Sequence, residues 1–194
     1  MVDAFRRRSP LAHRGLPARA VLDAARRESA EIVLSERPHR CQVNLRGKAT
    51  DPAFVARVAS AIGLALPVTP NTTTGDGGIT ALWLGPDEWL VLGGCESNYP
   101  EVAATVDVSA NRVCFELAGE DVEDVLAQGC SLDLHPALFS PGRCAQTVLA
   151  KAQVILHRTE PETFRIFVRP SFAPYLRSWL EDALTSPRSS LRRR

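Results

Sequence analysis

The chain has 194 residues, enough for one well-filled core or at most two small ones. A hydrophobic share of 45% beside 23% charged residues is that of an ordinary globular protein and excludes both a disordered chain and a membrane-embedded one. The formal net charge of +1 gives no electrostatic case for tracking a phosphate backbone, so nucleic acid is not an expected partner. Arginines do cluster at Arg6-Arg7-Arg8 and at Arg192-Arg193-Arg194, where they read as solvated ends rather than arms laid on an acidic partner.

The stretch from Met1 to Pro38 is rich in Arg and Ala, is interrupted by Pro10 and Pro17, and reads as a partly ordered peripheral arm with a possible strand at Glu31 to Ser35. His39 to Arg46 is a better strand, with Cys41, Val43 and Leu45 on one face. Asp51-Pro52 then predicts a capped helix start, and Phe54, Val55, Val58, Ala59 and Ile62 recur at helical spacing as far as Gly63. Leu66 to Gly78 reads as a loop. Its Gly75-Asp76-Gly77-Gly78 cluster invites a phosphate cradle, but such a cradle opens onto a helix and the residues that follow are β-like.

Ile79 to Gly94 predicts a hairpin, with Trp83 and Trp89 on apolar runs either side of Gly85-Pro86-Asp87-Glu88. A short helical or turn segment around Tyr99 to Ala104 leads to Thr105 to Ser109. Arg112 to Leu117 alternates as a strand, Gly119-Glu120-Asp121 opens an acid-started helix, and Gly129 ends it. After a loop at Leu132 to Gly142, a long β-like run spans Cys144 to Arg158; Glu160-Pro161-Glu162 turns the chain into a strand at Phe164 to Val168. Ser171 is expected to cap a helix carrying Phe172, Tyr175, Leu176, Trp179 and Ala183 and ending near Thr185-Ser186-Pro187. This order predicts an α+β fold with a mostly antiparallel sheet and packed helices, as one domain over residues 39–185 followed by a basic tail over residues 186–194.

No catalytic constellation emerges. Five scattered cysteines include no Cys-x-x-Cys pair, which argues against a zinc site or a redox dithiol. The odd count and the lack of a secretory apolar core after the first arginines favour the cytoplasm, and no apolar run approaches the roughly 20 residues of a membrane span. His13, His39, His135 and His157 each stand without a carboxylate or thiol at a useful spacing. Asp107 and Ser109 suggest an acid and a nucleophile, but no Gly-x-Ser-x-Gly elbow accompanies them. Trp83, Trp89 and Trp179 are better placed as core or interface anchors than as ligand-pocket walls. The residues therefore point to a binding or accessory role, with no catalytic, cofactor-binding or metal-binding residue of their own.

The segments VDVS at Val106, RVCFELAGEDVEDVLAQGCSLDL, SPGRCAQTVLAKAQVILHR and FRIFVRPSFAPYLRSWL resemble the first, folate-binding domain of the glycine-cleavage aminomethyltransferases. With ITALWLGPDEWLVLGG and QVNLRGKATDPAFVARVASAIGLALP in front of them, nearly the whole chain resembles the gamma subunits of heterotetrameric sarcosine oxidase. Aminomethyltransferases join two strands here by an Asn-Glu-x-Gly-Gly turn leading to paired aspartates; this chain has Ala150-Lys151-Ala152-Gln153. The resemblance implies a non-catalytic subunit in a complex that demethylates sarcosine to glycine and forms hydrogen peroxide and methylenetetrahydrofolate. It also implies direct contact with an alpha subunit, with beta and delta subunits completing the complex, and FAD, FMN, NAD, tetrahydrofolate and zinc held by those partners. The alternative is a stand-alone folate-binding one-carbon-transfer protein.

Overall fold

Runs of alternating apolar residues give the strands, and the computed structural model describes residues 9–11, 32–37, 41–76, 78–93 and 104–185. In chain order the strands are β1 (Val33–Arg37), β2 (Gln42–Arg46), β3 (Thr73–Asp76), β4 (Ile79–Gly85), β5 (Glu88–Leu92), β6 (Ala104–Asp107), β7 (Val113–Ala118), β8 (Cys144–Leu149), β9 (Ala152–Glu160) and β10 (Thr163–Val168). They form two five-stranded sheets, in the orders β1-β7-β10-β9-β8 and β3-β4-β5-β2-β6, and every pairing is antiparallel. The helices are α1 (Pro52–Ile62), α2 (Val122–Ala127) and α3 (Ala173–Thr185).

Four layers result. Helix α1 turns Phe54, Val58 and Ile62 onto Val43, Leu45, Ala81, Trp89 and Val91 on the outer face of the second sheet. Helices α2 and α3 cover the outer face of the first sheet, setting Val125, Leu126, Leu176 and Leu180 among Phe115, Leu117, Leu156, Phe164 and Ile166. The inner faces meet through Leu82, Leu84, Leu90, Leu92, Cys144, Ile155 and Phe167. Strand β5 is consequently buried on both faces, and its Trp-Leu-Val-Leu run is apolar without interruption.

Local chemistry starts and ends several elements. The Asp51 carboxylate accepts from the Ala53 amide at 2.9 Å, Pro52 occupies the first turn, and Gly63 closes α1 at φ 69°. Pro86 and Asp87 make the two-residue turn of the β4–β5 hairpin, and Trp83 and Trp89 lie opposite one another across it.

Four readings of the sequence change. Ile32, Leu34 and Leu11 are core residues, and the possible strand at Glu31 to Ser35 is present as β1, which pairs along Val33–Arg37 with β7, so this part of the expected peripheral arm belongs to the first sheet. Residues 73–76, inside the expected loop, form edge strand β3 because their backbone pairs with β4. The β-like run over Cys144 to Arg158 is broken into two strands by a turn at Ala150-Lys151, where Ala150 takes φ 54°. Helix α3 follows a 3₁₀ turn at Pro170–Phe172, so Ser171 lies inside that turn and does not cap the helix. The segment expected around Tyr99 and the tail over residues 186–194 lie outside the described residues.

Two devices lock the layers together. Residues 71–73 run beside residues 142–144, with the Cys144 amide donating to the Asn71 carbonyl at 3.0 Å and the Thr73 amide to the Gly142 carbonyl at 2.8 Å. On the outer face of the first sheet, Arg158 is 1% exposed and its guanidinium donates to the carbonyls of Leu134 and Phe139 at 3.1 and 3.0 Å. The same group reaches the Glu123 carboxylate of α2 and the Pro161 carbonyl, and lies 5.0 Å from the centroid of the Phe164 ring. Replacing Arg158 with Met is expected to cost roughly 3–5 kcal/mol in urea unfolding, because three carbonyls and a carboxylate lose their donor. A Cβ on Gly129 would come within 2.6 Å of the Trp179 ring and 3.0 Å of the Ala150 amide nitrogen. Gly129→Ala is therefore expected to lower stability by about 1–3 kcal/mol in the same measurement.

Candidate functional site

Val168 of β10 lies opposite Val113 of β7 and Val154 of β9, so Arg169, Arg112 and Gln153 stand together at one end of three adjacent strands. Strand alternation puts them on the inner face with Phe167, Cys114 and Ile155. With Gln146, Thr147, Val148, Val154 and Ile155 they line an open cleft of about 350 Å³. Its lining contains no carboxylate, thiol or imidazole. Burial and the neighbouring charge of Arg169 lower the Arg112 pKa, and Glu88 opposes them. Glu88 is engaged elsewhere: Asn44 donates to one oxygen at 2.6 Å and Arg46 to the other at 2.7 Å. Arg169 donates to the neutral Asn111 side-chain oxygen at 3.0 Å, and neither cleft arginine forms an ion pair among the described residues.

The other end of the inner face holds a buried charged cluster. Glu116 on β7 receives Arg37 from β1 at 3.1 Å and Arg165 from β10 at 3.3 Å. His157 sits opposite Arg165 on β9, with Nε2 3.4 Å from the Thr73 hydroxyl. Burial first, and then the charge of Arg165, push the His157 pKa down to about 3. This imidazole is a neutral core group at physiological pH and unsuited to proton transfer there.

The tryptophans divide by depth. Trp89 is fully buried, donates its indole N–H to the Pro67 carbonyl at 2.8 Å and packs 6.0 Å from Phe54. Trp83 and Trp179 are half-buried and pack against the cores of the second and first sheets respectively. His135 is in an exposed loop, whereas His13 and His39 lie outside the described residues. Asp107 accepts from the Ser109 amide at 2.8 Å and from its hydroxyl, and that hydroxyl accepts from the Gln42 amide at 2.9 Å; the pair is a turn that anchors β2. Burial raises the thiol of Cys144 to about 11 and that of Cys114 to about 12, so neither is an activated nucleophile. No group of three or more His, Cys, Asp or Glu able to hold a metal occurs among the described residues. No helix among them is long and apolar enough to cross a membrane.

The sequence reading missed the cleft. Its signal was slight: an arginine just before one apolar strand and another just after a second, brought together only by the β7–β10 register. At the β8–β9 turn, where an aminomethyltransferase would carry its acids, the structure presents Ala150, Lys151, Ala152 and Gln153. These residues do not fit an acid–base role toward a folate.

Comparison with known structures first defines the class. The fold is that of an aminomethyltransferase-like α+β domain: aminomethyltransferase T of the glycine cleavage system from Bartonella henselae superposes with a TM-score of 0.56 at 15% identity, over 82% of this chain and 48% of that chain. The model of the sarcosine oxidase gamma subunit family matches residues 46–186, and the chain belongs to that family. It is 34% identical to sarcosine oxidase subunit gamma from Corynebacterium sp. strain U-96 over 95% of this chain and 94% of that one. The Arthrobacter sp. gamma subunit is 33% identical, with 92% and 90% covered. A chain of the heterotetrameric sarcosine oxidase from Corynebacterium sp. U-96, solved with pyrrole 2-carboxylate, superposes with a TM-score of 0.76 at 34% identity over 92% of this chain and 94% of that chain.

The depressed His157 pKa sets a pH dependence. Above the ordinary value of 6.5 both folded and unfolded states are neutral; below it only the unfolded state takes the proton until pH falls to about 3. Stability is therefore expected to fall by up to about 1.4 kcal/mol for each pH unit below 6.5. Urea titrations of wild type and His157→Gln between pH 7.5 and 5 should show the wild type losing about 2 kcal/mol more than the variant. Parallel profiles would contradict this account.

Proposed function

We propose that this chain is a non-catalytic gamma subunit of a heterotetrameric sarcosine oxidase, supporting assembly of the complex. The reaction is oxidative demethylation of sarcosine to glycine, with hydrogen peroxide and methylenetetrahydrofolate formed. The observation that carries the reading is coverage from end to end: the similarity spans 92% of this chain and 94% of a chain from the solved heterotetramer.

On this reading the direct partner is the alpha subunit, with beta and delta completing the complex in the cytoplasm. FAD, FMN, NAD and tetrahydrofolate are held by the large subunits and zinc by delta. The chemistry divides accordingly: removal of the methyl C–H electrons and capture of the one-carbon unit occur in the partners, and this chain holds surfaces in register. Half-buried aromatics such as Trp83 and Trp179 brace the sheets beneath those surfaces.

Co-expression of the tagged chain with the other three subunits should give a stoichiometric complex that oxidises sarcosine with release of peroxide. The purified chain alone should be colourless and inactive. A chain that never co-purifies with the flavin-bearing subunits, or that turns over an aminomethyl donor with tetrahydrofolate unaided, would reverse the proposal.

A further inference from the structure

We infer that the cleft between Arg112 and Arg169 receives a carboxylate-bearing segment of the partner subunit, making this end of the paired sheets the electrostatic part of the interface. The inference rests on the reading of the chain as a subunit of the oxidase complex. Two guanidinium groups are brought side by side by the β7–β10 register. Like charges at such spacing repel, and an anion placed between them removes that repulsion while making charge-assisted hydrogen bonds.

Among the described residues the surrounding charges leave this pair unmatched. Glu88 is the acid that acts on Arg112, but both of its oxygens already accept from Asn44 and Arg46, and Arg46 also reaches Asp87 at 3.5 Å. Arg169 is held by an uncharged amide, which orients the guanidinium without neutralising it. The site is thus preorganised in geometry and short of one negative charge.

The remaining lining favours a peptide over a lone inorganic ion. Gln153 offers an exposed amide, and Val148 is 47% exposed at the rim above the apolar Ile155 floor. A volume of about 350 Å³ accommodates an acidic side chain together with its neighbours. Apolar contact beside paired guanidiniums matches an Asp- or Glu-containing strand or loop. The net charge of +1 gives no wider basic field of the kind that attracts nucleic acid.

The test uses the co-expressed four-subunit complex, immobilised through another subunit and washed with rising NaCl. R112Q/R169Q should release the gamma chain at about half the NaCl concentration that releases wild type, and R112E/R169E should release it lower still. Circular dichroism of the released chains separates weakened docking from unfolding; if the charge reversal unfolds, the glutamine pair alone decides. Release of folded variants at the wild-type salt concentration overturns the inference. So does titration of the assembled wild-type complex with free glutamate if it gives binding heat that R112Q/R169Q abolishes, because the cleft is then open to small carboxylates. A wild-type chain that fails to assemble at all refutes the proposed function instead.

Discussion

The guanidinium of Arg158 is the contact on which the outer layer of the first sheet depends. A buried cation is costly unless acceptors meet it, and here the loop carbonyls of Leu134 and Phe139 take one terminal nitrogen and the Glu123 carboxylate and the Pro161 carbonyl take the other, while the buried Nε has no partner among the described residues. The consequence is geometric. One side chain on β9 sets the position of α2, of the loop before β8 and of the β9–β10 turn. Gly142, whose amide donates to the Arg158 carbonyl, also holds Thr73, so this local order passes to the second sheet.

Both sheets are covered on both faces, one by helices and by each other on the inside. Such a domain keeps little sheet surface for recognition, leaving edges, loops and the ends of strands. The cleft lies where the inner face of the first sheet runs past the inter-sheet packing of Ile155 and Phe167. Charge tolerated there would be expensive two residues deeper, where Phe167 is 2% exposed. The other end shows what deeper charge requires: Glu116 is bound by two arginines at once. The domain thus separates a satisfied, structural charge cluster from an unsatisfied one at its rim.

Helix α1 and the β4–β5 hairpin were legible because their signals are local: Asp51-Pro52 and Gly63 delimit one, and Gly85-Pro86-Asp87-Glu88 makes the other. The β8–β9 turn carries no such local signal, because its positive φ falls on Ala150 and no glycine or asparagine marks it, and only the family resemblance placed a strand junction there. Strand β3, Thr-Thr-Gly-Asp, has no apolar alternation to announce it and forms by pairing at a sheet edge. The Arg158 clamp and the Arg112–Arg169 cleft are properties of register; neither arginine of the cleft differs in sequence from any surface arginine. The family resemblance was carried by the hairpin and the downstream strands. Trp89, expected as a core or interface anchor, is a core residue with a satisfied indole N–H.

Chain order and sheet order differ in one respect with kinetic consequences. All strands of the second sheet lie between β1 and β7, the two neighbours at one edge of the first sheet. During synthesis, β2 to β6 can pair as soon as residues 42–107 have emerged, while β1 must wait for Val113–Ala118 to supply its one sheet neighbour among the described residues. For that interval Ile32, Val33 and Leu34 form an apolar strand with unpaired backbone, the type of segment that aggregates when its partner is late. Among the described strands β1 is thus the one whose pairing waits longest on later chain, so its exposure closes only when β7 emerges.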